Sequence, residues 1–246
     1  MKKVWPDGEL SAAVNVAGIT TSDGSMSSRE ELALLSKSLD YINIMAYDVY
    51  GGWSTTSGPN APMSGQCSDV DNSVENAFAT YKLLGFKESQ MVMGIPGYGR
   101  AFTLKSPILK KKVFKKKYSS MLYQEISSEV PTGGQTDDKP GLDVCGNQTT
   151  AGGIWRFNEL LQVGYLTKDG KNGNGGFTRH FDNCSGTPYL VKNTTLISYD
   201  DEESTIEKTK FAKKNNLAGV FFFDTEGPSD SVLQSSKVTL QQRYTK

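Results

Sequence analysis

The chain has little from which to build a metal site or a histidine-dependent triad: its 246 residues include one histidine, His180, and three cysteines. Zinc sites draw on several Cys and His ligands, and a Ser-His-Asp arrangement needs its own imidazole, so both chemistries start short of parts. No motif calls for a metal or an organic cofactor. Charge of one sign is also missing, with 27 Lys plus Arg against 27 Asp plus Glu. Without a net field there is no long-range pull on nucleic acid or an anionic membrane, and a neutral ligand is the simpler expectation. No apolar run approaches the roughly 20 residues that cross a bilayer. The basic start, Met1-Lys2-Lys3, has no apolar segment behind it of the kind that directs secretion.

What is present fits a soluble globular protein rich in turns: 37% hydrophobic residues, 10% aromatic residues and 25 glycines. The length suits a complete (β/α)8 barrel of about 250 residues or one to two smaller domains. Three cysteines allow one bridge and one free thiol. Three Asn-X-Ser/Thr acceptors, at Asn147, Asn183 and Asn193, are candidate glycosylation sites that matter only on the secretory route.

Residues 10–17 predict a short buried strand stopped by Gly18. Ser28, with Glu31 three residues on, makes a capping box for a helix whose apolar face is Leu32, Leu35 and Leu39. Over residues 71–84, Val74, Ala77, Phe78, Tyr81 and Leu84 recur at helical spacing, and Gly85 stands at the C-terminal cap. Residues 91–100 predict one strand whose Gly and Pro imply a bulge or a close backbone approach. The two-residue period puts Tyr98 and Arg100 on a common face. Residues 109–117, with two Lys triplets flanking Val113 and Phe114, predict a solvated hairpin rather than a nucleic-acid or lipid site, given the acidic patches around them. A charged helix over 203–216 and a last strand over 217–224 follow. The polar tail, 229–246, is expected to be loosely ordered.

The organising stretch is residues 41–53, Tyr-Ile-Asn-Ile-Met-Ala-Tyr-Asp-Val-Tyr-Gly-Gly-Trp. Its period places Ile42, Ile44 and Ala46 on one side of a strand and Asn43, Met45 and Tyr47 on the other. Asp48 falls at the carboxyl end, and a Tyr-Gly-Gly turn delivers Trp53. Ligands of alternating β/α proteins bind at carboxyl ends of strands, and a Tyr, a carboxylate and a Trp there suit a sugar ring. The loop 54–66 that follows holds two prolines and two glycines, which restrict it as a binding wall requires.

Met45-Ala46-Tyr47-Asp48 resembles the Met-X-Tyr-Asp signature on the sixth barrel strand of family 18 glycoside hydrolases, the chitinases. Residues 94–100 resemble that family's seventh-strand pattern, Gly-Ile-Pro-X-Tyr-Gly-Arg, and residues 198–201 its Ser-Tyr-Asp-Asp segment before the final helix. The resemblance implies an α/β fold: a partial (β/α)8 TIM barrel, strands five to eight, over residues 1–102 and 189–246. A small α+β insertion subdomain would occupy 103–188, with Phe157-Asn158-Glu159-Leu160 starting a helix that walls the cleft. Cys145 and Cys184 both fall in that insertion and are the expected disulfide.

For function, the resemblance implies hydrolysis of β-1,4-linked N-acetylglucosamine polymers by a substrate-assisted retaining mechanism. Tyr47 would hold the acetamide for attack on the anomeric carbon and Asp48 would bond sugar hydroxyls. Met45, Trp53, Tyr98 and Arg100 would contact the bound chain. Phe223 stands where the family has a Trp floor; it can stack, with less surface and no N–H. Purely structural readings compete: Tyr47 and Asp48 could satisfy backbone groups, and residues 221–223 could be core.

The family's Asp-X-X-Asp-X-Asp-X-Glu run, which ends in the general acid, occurs nowhere in these residues and is expected upstream, in a missing amino-terminal half-barrel. The chain is therefore expected to be inactive alone, a fragment of a chitinase. The alternative is a non-catalytic chitin-binding protein like the chitinase-like lectins. Chitin or chitooligosaccharides, with neither nucleic acid nor membrane, are the expected partners. The family's habit implies an extracellular location.

Overall fold

Strand β1 (Ser11–Asn15) leads through a loop to Ser28, which caps helix α1 (Arg29–Ser38) as its spacing to Glu31 predicts. The Ser28 hydroxyl accepts from the Glu31 N–H at 3.3 Å, and the Glu31 carboxylate accepts from the Ser28 N–H at 2.7 Å, so two orphan amides are satisfied. The computed structural model describes residues 4–241; residues 1–3 of the basic start and 242–246 of the tail lie outside the described residues.

Strand β2 (Tyr41–Met45) and helix α2 (Val74–Leu83) come next, with Gly85 at φ +98° closing the helix. That left-handed backbone costs glycine nothing and most other residues a clash. A 3-10 turn (Glu88–Gln90) precedes strand β3 (Met91–Pro96), and Gly97 alone separates it from strand β4 (Tyr98–Thr103). The single strand expected over 91–100 is thus two strands, in different sheets. Gly97 makes the break possible. Its N–H donates to the Phe223 carbonyl at 2.7 Å, and a Cβ there would lie 2.6 Å from Pro228 Cδ.

Hairpins β5 (Lys112–Phe114) with β6 (Tyr118–Ser120) and β7 (Gly141–Leu142) with β8 (Gln148–Thr149) follow. Strand β9 (Ile154–Arg156) runs into helix α3 (Phe157–Gln162), where the expected helix start is found. Strands β10 (Thr178–Asp182), β11 (Thr187–Lys192) and β12 (Thr195–Ser198) then lead to Asp201, the N-cap of helix α4 (Glu202–Lys214). Strand β13 (Gly219–Phe223) and helix α5 (Asp230–Gln241) complete the described chain.

Helix α5 replaces the loose tail expected from residue 229. Val232, Ser236 and Thr239 are its buried residues, and Lys213 of α4 donates to the Thr239 carbonyl at 3.0 Å. The residues α5 buries are mostly hydroxyl-bearing, not the apolar ones usually sought on a core-facing helix.

The strands form a four-stranded parallel sheet, β1-β2-β3-β13, and a five-stranded antiparallel sheet, β10-β11-β12-β4-β9. On the parallel sheet, Val14, Ile42, Ile44, Met91 and Met93 pack under Leu32, Val74, Ala77 and Tyr81 from the helices. Burial of these side chains, roughly 1.5–3 kcal/mol each, fixes which residues point the other way. The alternation expected for residues 41–47 is therefore present, with Ile42, Ile44 and Ala46 in this core. The antiparallel sheet draws its strands from residues 98–198, beyond the 103–188 of the expected insertion at both ends.

The disulfide joins Cys67 to Cys184, with 5.8 Å between Cα atoms, and Cys145 is the free thiol. This corrects the expected Cys145–Cys184 pair. Met63 donates its N–H to the Ser185 carbonyl at 2.7 Å, which brings the loop after β2 against the β10–β11 turn and buries Cys67. Cys145 sits instead in the exposed β7–β8 turn, held by the Asp143 carboxylate. The three acceptor asparagines are exposed in hairpin turns: Asn147 in β7–β8, Asn183 in β10–β11 and Asn193 in β11–β12. Among the described residues no helix is long and apolar enough to cross a membrane.

Candidate functional site

Tyr47 leaves the end of β2 on the side away from the helices, and Gly94 makes room for it. A Cβ at Gly94 would stand 2.8 Å from Tyr47 Cε1 and 2.7 Å from both Phe221 Cζ and the Ile44 carbonyl oxygen. The close backbone approach expected near that glycine is thus a slot for two aromatic rings. Tyr47 stacks on Phe223 at 5.8 Å and 15°, and meets Tyr98 edge-on at 6.2 Å and Phe221 at 6.5 Å. Met45 packs against this cluster. Phe223 remains 53% exposed, so its outer face is open while Tyr47 beneath it is nearly covered.

Burial, with the Asp48 carboxylate adding to it, raises the Tyr47 hydroxyl to about 12. Burial first, and then Asp48, push Tyr98 up as well. Both phenols keep their protons at neutral pH and can act as donors.

Asp48 adopts φ +57°, a left-handed conformation that Asp tolerates better than most residues. Arg100 grips its Oδ1 with two N–H groups, Nε at 3.0 Å and Nη2 at 2.6 Å. The third arm, Nη1, donates to the Gly152 carbonyl at 3.1 Å. The guanidinium lies 5.1 Å from the Trp53 ring and 5.6 Å from that of Tyr98. It therefore holds the 61%-exposed indole beside the carboxylate, an arrangement a lysine cannot copy. All seven predicted site residues, Met45, Tyr47, Asp48, Trp53, Tyr98, Arg100 and Phe223, belong to one connected cluster.

The sequence reading missed what bolts this cluster down. Asn60 is fully buried. Its Oδ1 accepts from the Asp48 N–H at 3.2 Å and its Nδ2 donates to the Tyr98 carbonyl at 3.0 Å. Its backbone carbonyl takes the Val49 N–H at 3.0 Å and its N–H donates to Ser198 Oγ at 3.2 Å. Asn beside Pro59 in a Gly/Pro loop reads as turn chemistry, and no local signal marks it as a link between strand ends. Arg156 was also missed: it binds Asp224 and Glu226 at 2.6 Å each, tying β9 to the residues just after Phe223.

A separate cavity of about 330 Å³, lined by Phe157, Lys171, Arg179, Asp201, Ile206 and Ser231, shares no residue with the cluster. Within it Arg179 is already paired, with Asp201 and Glu203 at 2.7 Å each. Among the described residues no three His, Cys, Asp or Glu side chains converge as a metal would need.

The family model for glycosyl hydrolases family 18 matches residues 6–227. A chitinase-like effector of Moniliophthora roreri is 34% identical over 232 residues, which cover 91% of this chain and 55% of that protein. Human chitinase-3-like protein 2 is 28% identical over 216 residues, 85% of this chain and 47% of that protein. The crystal structure of a chitinase from Rhizomucor miehei superposes with a TM-score of 0.77 at 25% identity, covering 94% of this chain and 61% of that one. The chain thus spans about half the length of the relatives it matches.

Proposed function

The chain belongs to family 18 of the glycosyl hydrolases, and from that membership we propose that the Tyr47–Phe223 cluster binds N-acetylglucosamine units of chitin or chitooligosaccharides. The observation that carries the proposal is the pairing of an open aromatic face, Phe223 over Tyr47, with the Asp48–Arg100–Trp53 set at the carboxyl ends of parallel strands. Sugar rings take stacking on their apolar face and charge-assisted hydrogen bonds at their rim, and this cluster offers both. In this reading β1, β2, β3 and β13 are strands five to eight of a (β/α)8 barrel, and the antiparallel sheet is an α+β insertion that walls the cleft. The other strands come from an amino-terminal half-barrel.

The associated chemistry is substrate-assisted. The substrate's acetamide oxygen attacks the anomeric carbon while a carboxylic acid protonates the departing oxygen, and Tyr47, still protonated, donates to the acetamide and fixes its direction. The Asp-X-X-Asp-X-Asp-X-Glu run that carries such an acid is absent from these 246 residues. Loss of a general acid costs about 10²- to 10⁴-fold in rate, so this chain is a binder of the polymer and hydrolyses it only when an acid is supplied from elsewhere. The absent acid and the Phe at 223 also support the second reading, a non-catalytic, lectin-like chitin-binding protein. Secretion is part of the proposal. A disulfide that persists and three exposed acceptor asparagines suit an oxidising, glycosylating route.

Calorimetric titration of the 246-residue chain with N-acetylchitotetraose, with product analysis of the same mixture, tests this. Saturable binding without release of shorter oligomers is expected, abolished by Phe223→Ala and weakened by Arg100→Lys. A chain that folds and binds no N-acetylated oligomer refutes the site, and turnover refutes the missing acid.

A further inference from the structure

We propose that the β5–β6 hairpin is a docking surface for a linear anionic polysaccharide of the polyuronate type. Six lysines, Lys110, Lys111, Lys112, Lys115, Lys116 and Lys117, fall within residues 110–117. Only Lys112 is engaged by a carboxylate: its Nζ meets Asp69 at 3.0 Å and lies 4.8 Å over the Phe114 ring. The other five have no carboxylate partner among the described residues. Phe114 anchors the hairpin, buried with Leu122 and Tyr123, and this turns Val113, opposite Ser119, outward. Lys115 and Lys116 form the turn, at φ +49° and +56°. The whole chain carries no net charge, and of the acidic residues around the hairpin only Asp69 pairs with one of its lysines among the described residues.

The choice of a glycan over a lipid rests on the sugar-site reading above, through one joint. Gln124 accepts the Lys110 N–H at 2.9 Å on its Oε1 and donates from Nε2 to the Lys110 carbonyl at 2.8 Å. Its backbone N–H donates to Ser57 Oγ at 2.8 Å, and its carbonyl accepts the Ser57 N–H at 2.9 Å. Ser57 lies in the same loop as Asn60, four residues after Trp53. The base of the basic hairpin is therefore fastened, through Ser57, to the loop that follows Trp53, so a polysaccharide held at the sugar site has the lysines on the same support. Carboxylates repeated on such a chain are attracted there. The ammonium groups of a deacetylated, glucosamine-rich polymer are repelled.

The test compares the full chain with a Lys111→Gln, Lys115→Asn, Lys116→Asn variant, asparagine being suited to the left-handed turn positions. Lys112 is left in place because it holds Asp69. Binding to polygalacturonate is measured by affinity electrophoresis at low salt and at about 0.5 M NaCl, where the Debye length is only a few ångströms. Retention of the wild type that salt abolishes and the triple variant weakens about tenfold is the expected result, with unchanged melting and unchanged chitotetraose affinity. No retention of the wild type, or equal retention of the variant, overturns the proposal. Lysine-dependent binding to anionic phospholipid vesicles without binding to polygalacturonate overturns the choice of partner. Loss of chitotetraose binding by the wild type, with lysine-dependent polyuronate binding kept, would instead sink the sugar-site reading and leave the hairpin's charge preference standing.

Discussion

Removing Cys67 or Cys184 opens a covalent loop with a sequence separation of 117. In the chain-entropy account a loop of that size restrains the unfolded chain by about 5 kcal/mol at 25 °C. Domains are stable by roughly 5–15 kcal/mol in all, so this bridge carries a large share. For a chain of this length each kcal/mol moves the melting temperature by about 2–4 °C, and Cys67→Ala and Cys184→Ala should each lower it by about 10–20 °C. Cys145→Ala should leave it within about 1 °C, because that thiol is exposed and unbridged. Melting followed by circular dichroism, with a count of reactive thiols in the unfolded state, measures all three variants. A Cys145–Cys184 bridge would give a loop term within about 1 kcal/mol of the same size, so the identity of the harmless substitution decides the matter, not the depth of the loss. A stable Cys67→Ala with an unstable Cys145→Ala, or a mapped peptide joining Cys145 to Cys184, refutes the pairing described here.

Asn60→Asp keeps the size of the side chain but turns an oxygen toward the Tyr98 carbonyl in place of a donor; an unsatisfied buried group costs about 1–3 kcal/mol, and chitotetraose affinity should fall about tenfold as Asp48 shifts. Equal affinity with equal stability would remove Asn60 from the site. The Tyr47 phenol, raised to about 12 against an unfolded value near 10, contributes stability that is complete below pH 10 and fades as pH climbs toward 12, because the unfolded chain loses its proton first. Absorbance at 295 nm should therefore show one fewer phenolate forming above pH 11 in Tyr47→Phe than in wild type, and a missing step below pH 10.5 would contradict this. Burial lowers His180, which stacks on Tyr189 at 5.0 Å, so stability should decline as pH drops through 6.5, where the unfolded state takes up the proton more readily. His180→Gln should flatten the melting temperature between pH 7 and 5.5, and an unchanged slope would show that carboxylates alone set it.

Much of the site was legible because it sits on regular elements. Period-two alternation assigned Tyr47 to the face opposite Ile42 and Ile44, whereas the Gly and Pro of residues 91–100 implied only a bulge or a close backbone approach and not the aromatic slot at Gly94. The Ser28–Glu31 box was equally readable, since a cap is local in sequence. What escaped is long-range. Asn60 reaches Ser198 across 138 residues and Cys67 reaches Cys184 across 117, and neither leaves a trace in its own neighbourhood. The strand break at Gly97 escaped for the same reason, because the segment packed closely on that glycine, Gly227 and Pro228, is distant in sequence. Helix α5 was hidden differently, by hydroxyls that pack where apolar residues are usually sought.

The acceptor asparagines of the three hairpin turns have a bearing on how this molecule would be seen by others. All stand in turns of antiparallel hairpins, and none on β1, β2, β3, β13 or their helices. Sugars attached there would shield those hairpin turns from proteases and antibodies while the parallel sheet and its helices stayed bare. An immune response to the decorated protein would then be written almost wholly against the parallel sheet and its helices, and enzymatic deglycosylation would expose epitopes at the hairpin turns alone.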